Sequence, residues 1–295
     1  MFTTLVAVIA ALVLGHLAAL PLAALRDWHW FGTWLRWWRG HGGGWASGRF
    51  GLLPAIAAPV LLAGLLQWWL HGRLYGLPAL LFGVAMLVWC WGPRDLDRDV
   101  EAVLDAEDTP AHGVAVSRLQ AAGGSLRQDA PSLLDATIHD ALRRWFAPLF
   151  WFLLLGPAGV LLYRLLAQVV HGPQAADASA DARDGGGWAL ALLEWPVAQL
   201  MVLSMALVGN FDTVFSAWRG AAGNRWALDL GFLGAATRAG VGMELAEDAE
   251  DARAAGIVLP LQAQPELRDA MSLVWRMLLA WMAALALLVI AGWVA

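Results

Sequence analysis

The sequence predicts an all-α, polytopic transmembrane bundle of about five or six spans, with one interfacial amphipathic helix and small cytoplasmic helical layers. Three observations lead there. Hydrophobic residues make up 60% of the 295-residue chain and charged residues 15%, against roughly 45–50% and 25% in soluble domains. Several runs approach the roughly 20 apolar residues that a membrane-crossing helix needs. None shows the short apolar/polar alternation of a barrel strand.

Composition also narrows the chemistry. The formal net charge is −5, whereas phosphate binding needs a basic face, so no nucleic-acid partner is expected. All 19 basic residues are arginines. Without lysine there is no Schiff base and no P-loop ammonium. The single cysteine, Cys90, sits between Trp89 and Trp91. It excludes a disulfide framework or a cysteine zinc cluster and reads as a small buried hydrophobe. No metal and no cofactor are expected.

The whole chain, 1–295, is read as one integral membrane domain. The first apolar run, 2–25, has no positive region before it and is too long for a signal-peptide core, so it is taken as a membrane helix. The stretch RDWHWFGTWLRWWRGHGGGW follows. At 100° per residue, Trp28, Trp30, Phe31, Trp34, Leu35, Trp37 and Trp38 share one side, and His29, Gly32, Thr33, Arg36 and Arg39 the other. Residues 26–39 are therefore predicted to lie on the membrane surface, anchored by Trp30, Trp34, Trp37 and Trp38 with Arg36 and Arg39 toward headgroups. The glycines at 42–44 end the helix; they lack the context of a phosphate-binding loop.

Spans are predicted at 52–70 and 74–91. The polar segment 92–144 reads as a cytoplasmic helical layer, with Leu96, Val100, Val103 and Leu104 at helical spacing under a charged face. Asp95, Asp97, Asp99 and Glu101 alternate with Arg94 and Arg98 and read as solvated, not as a cation site. The next span, 145–170, leads to a small, polar, glycine-rich segment, 172–187, read as a flexible outer loop. Spans at 188–208 and 271–294 enclose a second cytoplasmic helical segment, 217–269. Most arginines fall in 26–49, 92–144 and 217–269, which places these segments inside and the C-terminus in the periplasm.

Ionisable groups inside spans are costly and point to function. Tyr163 and Arg164 lie in the fourth predicted span and Glu194 in the fifth. Arg164 and Glu194 either form a bidentate pair between helices or snorkel toward headgroups. His16 is read as an interhelical hydrogen-bonding group, with a proton-relay role as the sharper option. His139 and Asp140 are adjacent on a helix and diverge by about 100°, which favours charge pairing with Arg143 or Arg144 over acid/base work. No catalytic residue is assigned.

The segment APLFW followed by GPAGVLLYR brings together Pro148, Phe150, Trp151, Gly156, Pro157, Gly159, Tyr163 and Arg164; ALLEWPVAQL spans 191–200. These stretches resemble the CobD/AmpE family of bacterial inner-membrane proteins. One arm of that family, adenosylcobinamide-phosphate synthase, is an ATP- and magnesium-dependent amide ligase with acidic and asparagine residues before the APLFW element. Here that stretch is ATIHDALRRWF, and LLAQV follows Arg164, without the synthase's polar set. The chain is closer to the AmpE arm, which implies a sensor or signalling modulator of β-lactamase expression and cell-wall stress. Gln199 stands where the family often has arginine. The partners implied are the lipid bilayer, a membrane or cytoplasmic protein, and a cell-wall-derived small ligand. A divergent corrinoid-pathway ligase and a transporter-like or scaffold protein are the alternatives, the latter because Pro157 and Gly159 interrupt a span.

Overall fold

The structure is a computed structural model that describes residues 27–46, 48–71, 76–91, 96–106, 109–119, 129–225, 228–255 and 264–291. Among the described residues the regular structure is helical throughout, with no strand. The predicted helix 2–25, with His16, and the end of the chain lie outside them. In chain order the helices are α1 (His29–His41), α2 (Gly43–Ala46), α3 (Leu52–Leu70), α4 (Leu77–Cys90), α5 (Leu96–Leu104), α6 (Thr109–Leu119), α7 (Ala130–Ala141), a π turn (Leu142–Phe146), α8 (Ala147–Leu155), α9 (Pro157–His171), a 3-10 turn (Pro173–Asp177), α10 (Ala180–Val208), α11 (Phe211–Gly220), α12 (Gly231–Ala254) and α13 (Pro265–Ile290).

Three of these, α3, α10 and α13, are long and apolar enough to cross a membrane. On α3, Ala55 and Ile56 are buried while Leu61 and Leu62 are 65% and 68% exposed. An apolar helix with that outer face suits lipid, not water. The other predicted spans differ. α4 has 14 residues, a rise of roughly 21 Å against a hydrocarbon core of about 30 Å.

The predicted span 145–170 is two helices folded back on each other. A Cβ on Gly159 would run into the carbonyl oxygen of Trp151 and the side chain of Leu155. In one continuous helix, residues eight apart are separated by roughly 12 Å. The reversal occurs at Gly156, with φ 69° and ψ −153°, and Pro157 then opens α9. Glycine is required twice over at 156, since a side chain there would also meet Nε2 of Gln67 at 2.6 Å. Apolar composition alone does not separate a crossing helix from a hairpin, hence the misreading.

The predicted flexible loop at 172–187 is also corrected. Residues Pro173–Asp177 form the 3-10 turn, and α10 already begins at Ala180, with the Ser179 hydroxyl accepting from the Ala182 N–H at 3.2 Å. Its glycines are packing contacts. A side chain on Gly185 would strike the Arg49 carbonyl, and one on Gly186 would meet Leu52 at 3.3 Å. Small residues let helices approach this closely.

α1 forms where the amphipathic pattern predicts it, with the His29 N–H held by Asp27 at 2.8 Å. Its environment is more varied than a uniform lipid face. Trp28, Phe31 and Leu35 are buried, and Trp28 stacks on Trp89 at 4.4 Å between ring centres. Trp34 and Trp38 donate their indole N–H groups to the carbonyls of Ala55 and Gly51 at 2.8 and 2.9 Å, docking α1 on α3. Trp30 and Trp37 are the exposed anchors.

At the same place α1 meets the segment that follows α9. Arg36 pairs with Asp177 at 2.9 Å, Arg39 donates to the Asp177 carbonyl at 2.6 Å, and Gln174 donates to the Trp28 carbonyl. Residues 26–39 and 172–180 therefore share one face, where arginine counting had put them on opposite sides.

The chain forms two compact units. One holds α1 to α4, α8, α9 and the first part of α10; the other holds α5 to α7, the rest of α10, α11, α12 and most of α13. The divisions after Leu142, Glu194 and Ala284 fall within helical segments, so no linker composition marks them.

Candidate functional site

In the first unit, three polar side chains converge from three elements. Glu194, on α10, is 2% exposed. Arg143, in the π turn, donates through Nε to its Oε1 at 3.3 Å. Tyr163, on α9 and fully buried, donates its hydroxyl to the same oxygen at 3.0 Å. Alongside, the Trp151 indole of α8 donates to the Leu193 carbonyl at 3.2 Å. α10 is thus tied by its side chains and backbone to both arms of the hairpin.

The local chain makes this possible. A π turn carries one residue more per turn than an α-helix and is common at functional positions; here it occupies LRRWF immediately before Ala147 and Pro148. The arginine that bonds Glu194 through Nε is Arg143. Arg164 is buried, but it follows Tyr163 by about 100° around α9, and it is Tyr163 that faces the carboxylate. Removing one member of a buried ion pair leaves the other charge uncompensated, at a cost of about 3–5 kcal/mol. The cluster therefore resists any displacement of α10 from the hairpin that parts Glu194 from Arg143.

The resemblance residues build this frame. Pro148 is buried in the first turn of α8. Phe150 meets Trp151 edge-on at 5.2 Å. Gly156, Pro157 and Gly159 make the reversal and the close approach of its arms. Gln199 lies apart, in the second unit. Its amide donates to the Gly223 carbonyl and accepts from the Trp218 indole, both at 2.8 Å, so it fastens the turn after α11. His139 contacts the Asp135 carbonyl through Nδ1 at 2.7 Å, and Asp135 pairs with Arg238.

The second unit also holds a polar cleft of about 570 Å³, lined by Asn210, Glu244, Glu247, Asp248, Asp269, Ser272 and Arg276 among others. Arg276 donates through Nη2 to both oxygens of Glu244, at 2.8 and 2.6 Å. The predicted cytoplasmic segment 217–269 contains the acidic run but does not bring Asp269 and Arg276 to it. Their i, i+7 spacing, which puts Asp269 and Arg276 on one side of the helix, is the signal that could have done so. Among the described residues no group of three or more His, Cys, Asp or Glu side chains is arranged to hold a metal ion. No family model, curated protein or solved structure matches the chain.

Proposed function

We propose that this protein is a regulatory membrane protein of the bacterial inner membrane, a sensor or signalling modulator of β-lactamase expression and cell-wall stress like the AmpE arm of the family it resembles. The observation that carries this reading is the Glu194 cluster. A carboxylate held by Arg143 and Tyr163 from the two arms of a hairpin couples the position of α10 to that of the hairpin. A small ligand or a partner protein that prefers one packing of these helices shifts the population by its differential affinity for the two states. Deleting the gene and measuring β-lactamase induction and β-lactam susceptibility tests the role. Altered induction supports it, and wild-type induction with wild-type susceptibility rejects it.

Transport is the second reading, favoured by the hairpin at Gly156. Folded-back helices at membrane depth are tolerated where protein or a cavity surrounds them, and broken helices of this kind line transporter sites. A solute-specific flux into proteoliposomes that Gly156→Val abolishes, with the protein still inserted, would favour transport over signalling.

A further inference from the structure

We infer that α11 is a second membrane-surface helix, which seats an aromatic ladder in the headgroup and acyl boundary and offers Arg219 to anionic lipid phosphates. The inference rests on the membrane reading of α10 and not on the regulatory role. α11 follows the apolar end of α10 after only Gly209 and Asn210, and Asn210 caps it by accepting from the Thr213 N–H at 3.1 Å. Phe211, Phe215 and Trp218 lie within about 60° of one another around the helix. Their rings stack in series, at 5.5 Å from Phe211 to Phe215 and 5.0 Å from Phe215 to Trp218. The Arg219 guanidinium lies 4.9 Å from the centre of the Phe215 ring.

The helix is fixed to its own unit by the other flank. Val214 is buried and packs beside Gly240 of α12, and the Trp218 indole is held by Gln199. That leaves Phe211 outward, 49% exposed.

Continuity identifies the occupant. Leu200, Leu203 and Leu207 lie on one side of α10 and are 39%, 50% and 72% exposed. This stripe belongs to a helix apolar enough to cross a membrane. The aromatic series of α11, with Phe211 exposed and Phe215 and Trp218 half-buried, extends it at the same end. Tryptophan and phenylalanine beside arginine, on a helix of strong amphipathicity, are the residues the bilayer boundary selects. Cation–π contact places the guanidinium over a ring without neutralising it, so its charge stays available to phosphate.

The test uses the full chain in sealed vesicles of phosphatidylcholine, with and without phosphatidylglycerol. Nitroxide labels are attached to Phe211→Cys, Phe215→Cys and, on the polar side, Ser216→Cys. The native Cys90 is buried, and the unsubstituted chain gives its background. Collision with oxygen, which concentrates in lipid, is expected to exceed collision with a water-soluble nickel chelate several-fold at 211 and 215, and the order to reverse at 216. Phosphatidylglycerol should deepen the label at 215, and Arg219→Gln should remove that dependence while leaving the labels at 211 and 215 in lipid. Preference for the nickel chelate at 211 and 215 overturns the inference, as does shielding from both agents, which would mean that a second copy or another protein covers the face.

Discussion

Arg143 and Tyr163 share one oxygen of Glu194, the guanidinium at 3.3 Å and the phenol at 3.0 Å. The carboxylate is nearly inaccessible, whereas the Arg143 side chain is one quarter exposed. The pair therefore has a fixed end on α10 and an end that solvent or a partner can reach.

Glu194→Ala is expected to destabilise the protein by about 1–3 kcal/mol, because the buried Tyr163 hydroxyl loses its acceptor, read as a lowered unfolding temperature in detergent. A double-mutant cycle of Arg143→Gln with Glu194→Gln should give a coupling energy of about 0.5–3 kcal/mol. The same cycle between Arg164 and Glu194 should give less. Equal coupling would restore the pairing expected from the sequence.

Gly185→Ala and Gly187→Ala should move stability in opposite directions. The first places a methyl against the Arg49 carbonyl, while a Cβ on Gly187 meets nothing within 4 Å among the described residues. Overpacking costs about 1–3 kcal/mol, and alanine in a helix gains up to about 1 kcal/mol over glycine. Thermal unfolding of both variants in one detergent checks the sign of each.

The bonds from Arg36 and Arg39 to Asp177 place two loops on one face. Single cysteines at the exposed Gly40 and Ala176, in sealed vesicles of one orientation, should react with an impermeant maleimide from the same side. The ion pair itself is partly exposed, so Asp177→Asn should change stability by less than about 1 kcal/mol.

Gln199 bridges the Trp218 indole and the Gly223 carbonyl. Gln199→Leu removes both hydrogen bonds and leaves the indole N–H without its acceptor, at about 1–3 kcal/mol. Hydrogen exchange in residues 221–225 should accelerate while that of α3 stays unchanged.

Sequence periodicity and composition were sufficient for the helical class, for α3, for the apolar parts of α10 and α13, and for the existence of α1, though not for its start at His29. They also brought Tyr163 and Glu194 forward, because ionisable groups in apolar runs are costly wherever the helices go. They did not find Arg143. Arg143 and Arg144 read as charge partners of His139 and Asp140, and a π turn, which redirects a side chain, has no sequence period to detect. The hairpin was half legible. Gly156-Pro157 is a turn signal as much as a kink signal, and only the proximity of Gly159 to Trp151 decides between them. The glycines at 185 and 186 misled for a related reason: the residue that loosens a loop is also the one that lets two helices touch.

The central claim is that the Glu194 cluster links helix packing to regulation. Its most direct test is a deletion strain carrying Glu194→Gln, with membrane levels of the variant matched to those of the unsubstituted protein, assayed for β-lactam-induced β-lactamase. The account predicts an altered induction response, because the amide cannot hold Arg143 as the carboxylate does. Full wild-type induction at matched protein levels, in a strain whose uncomplemented deletion is defective, would contradict it.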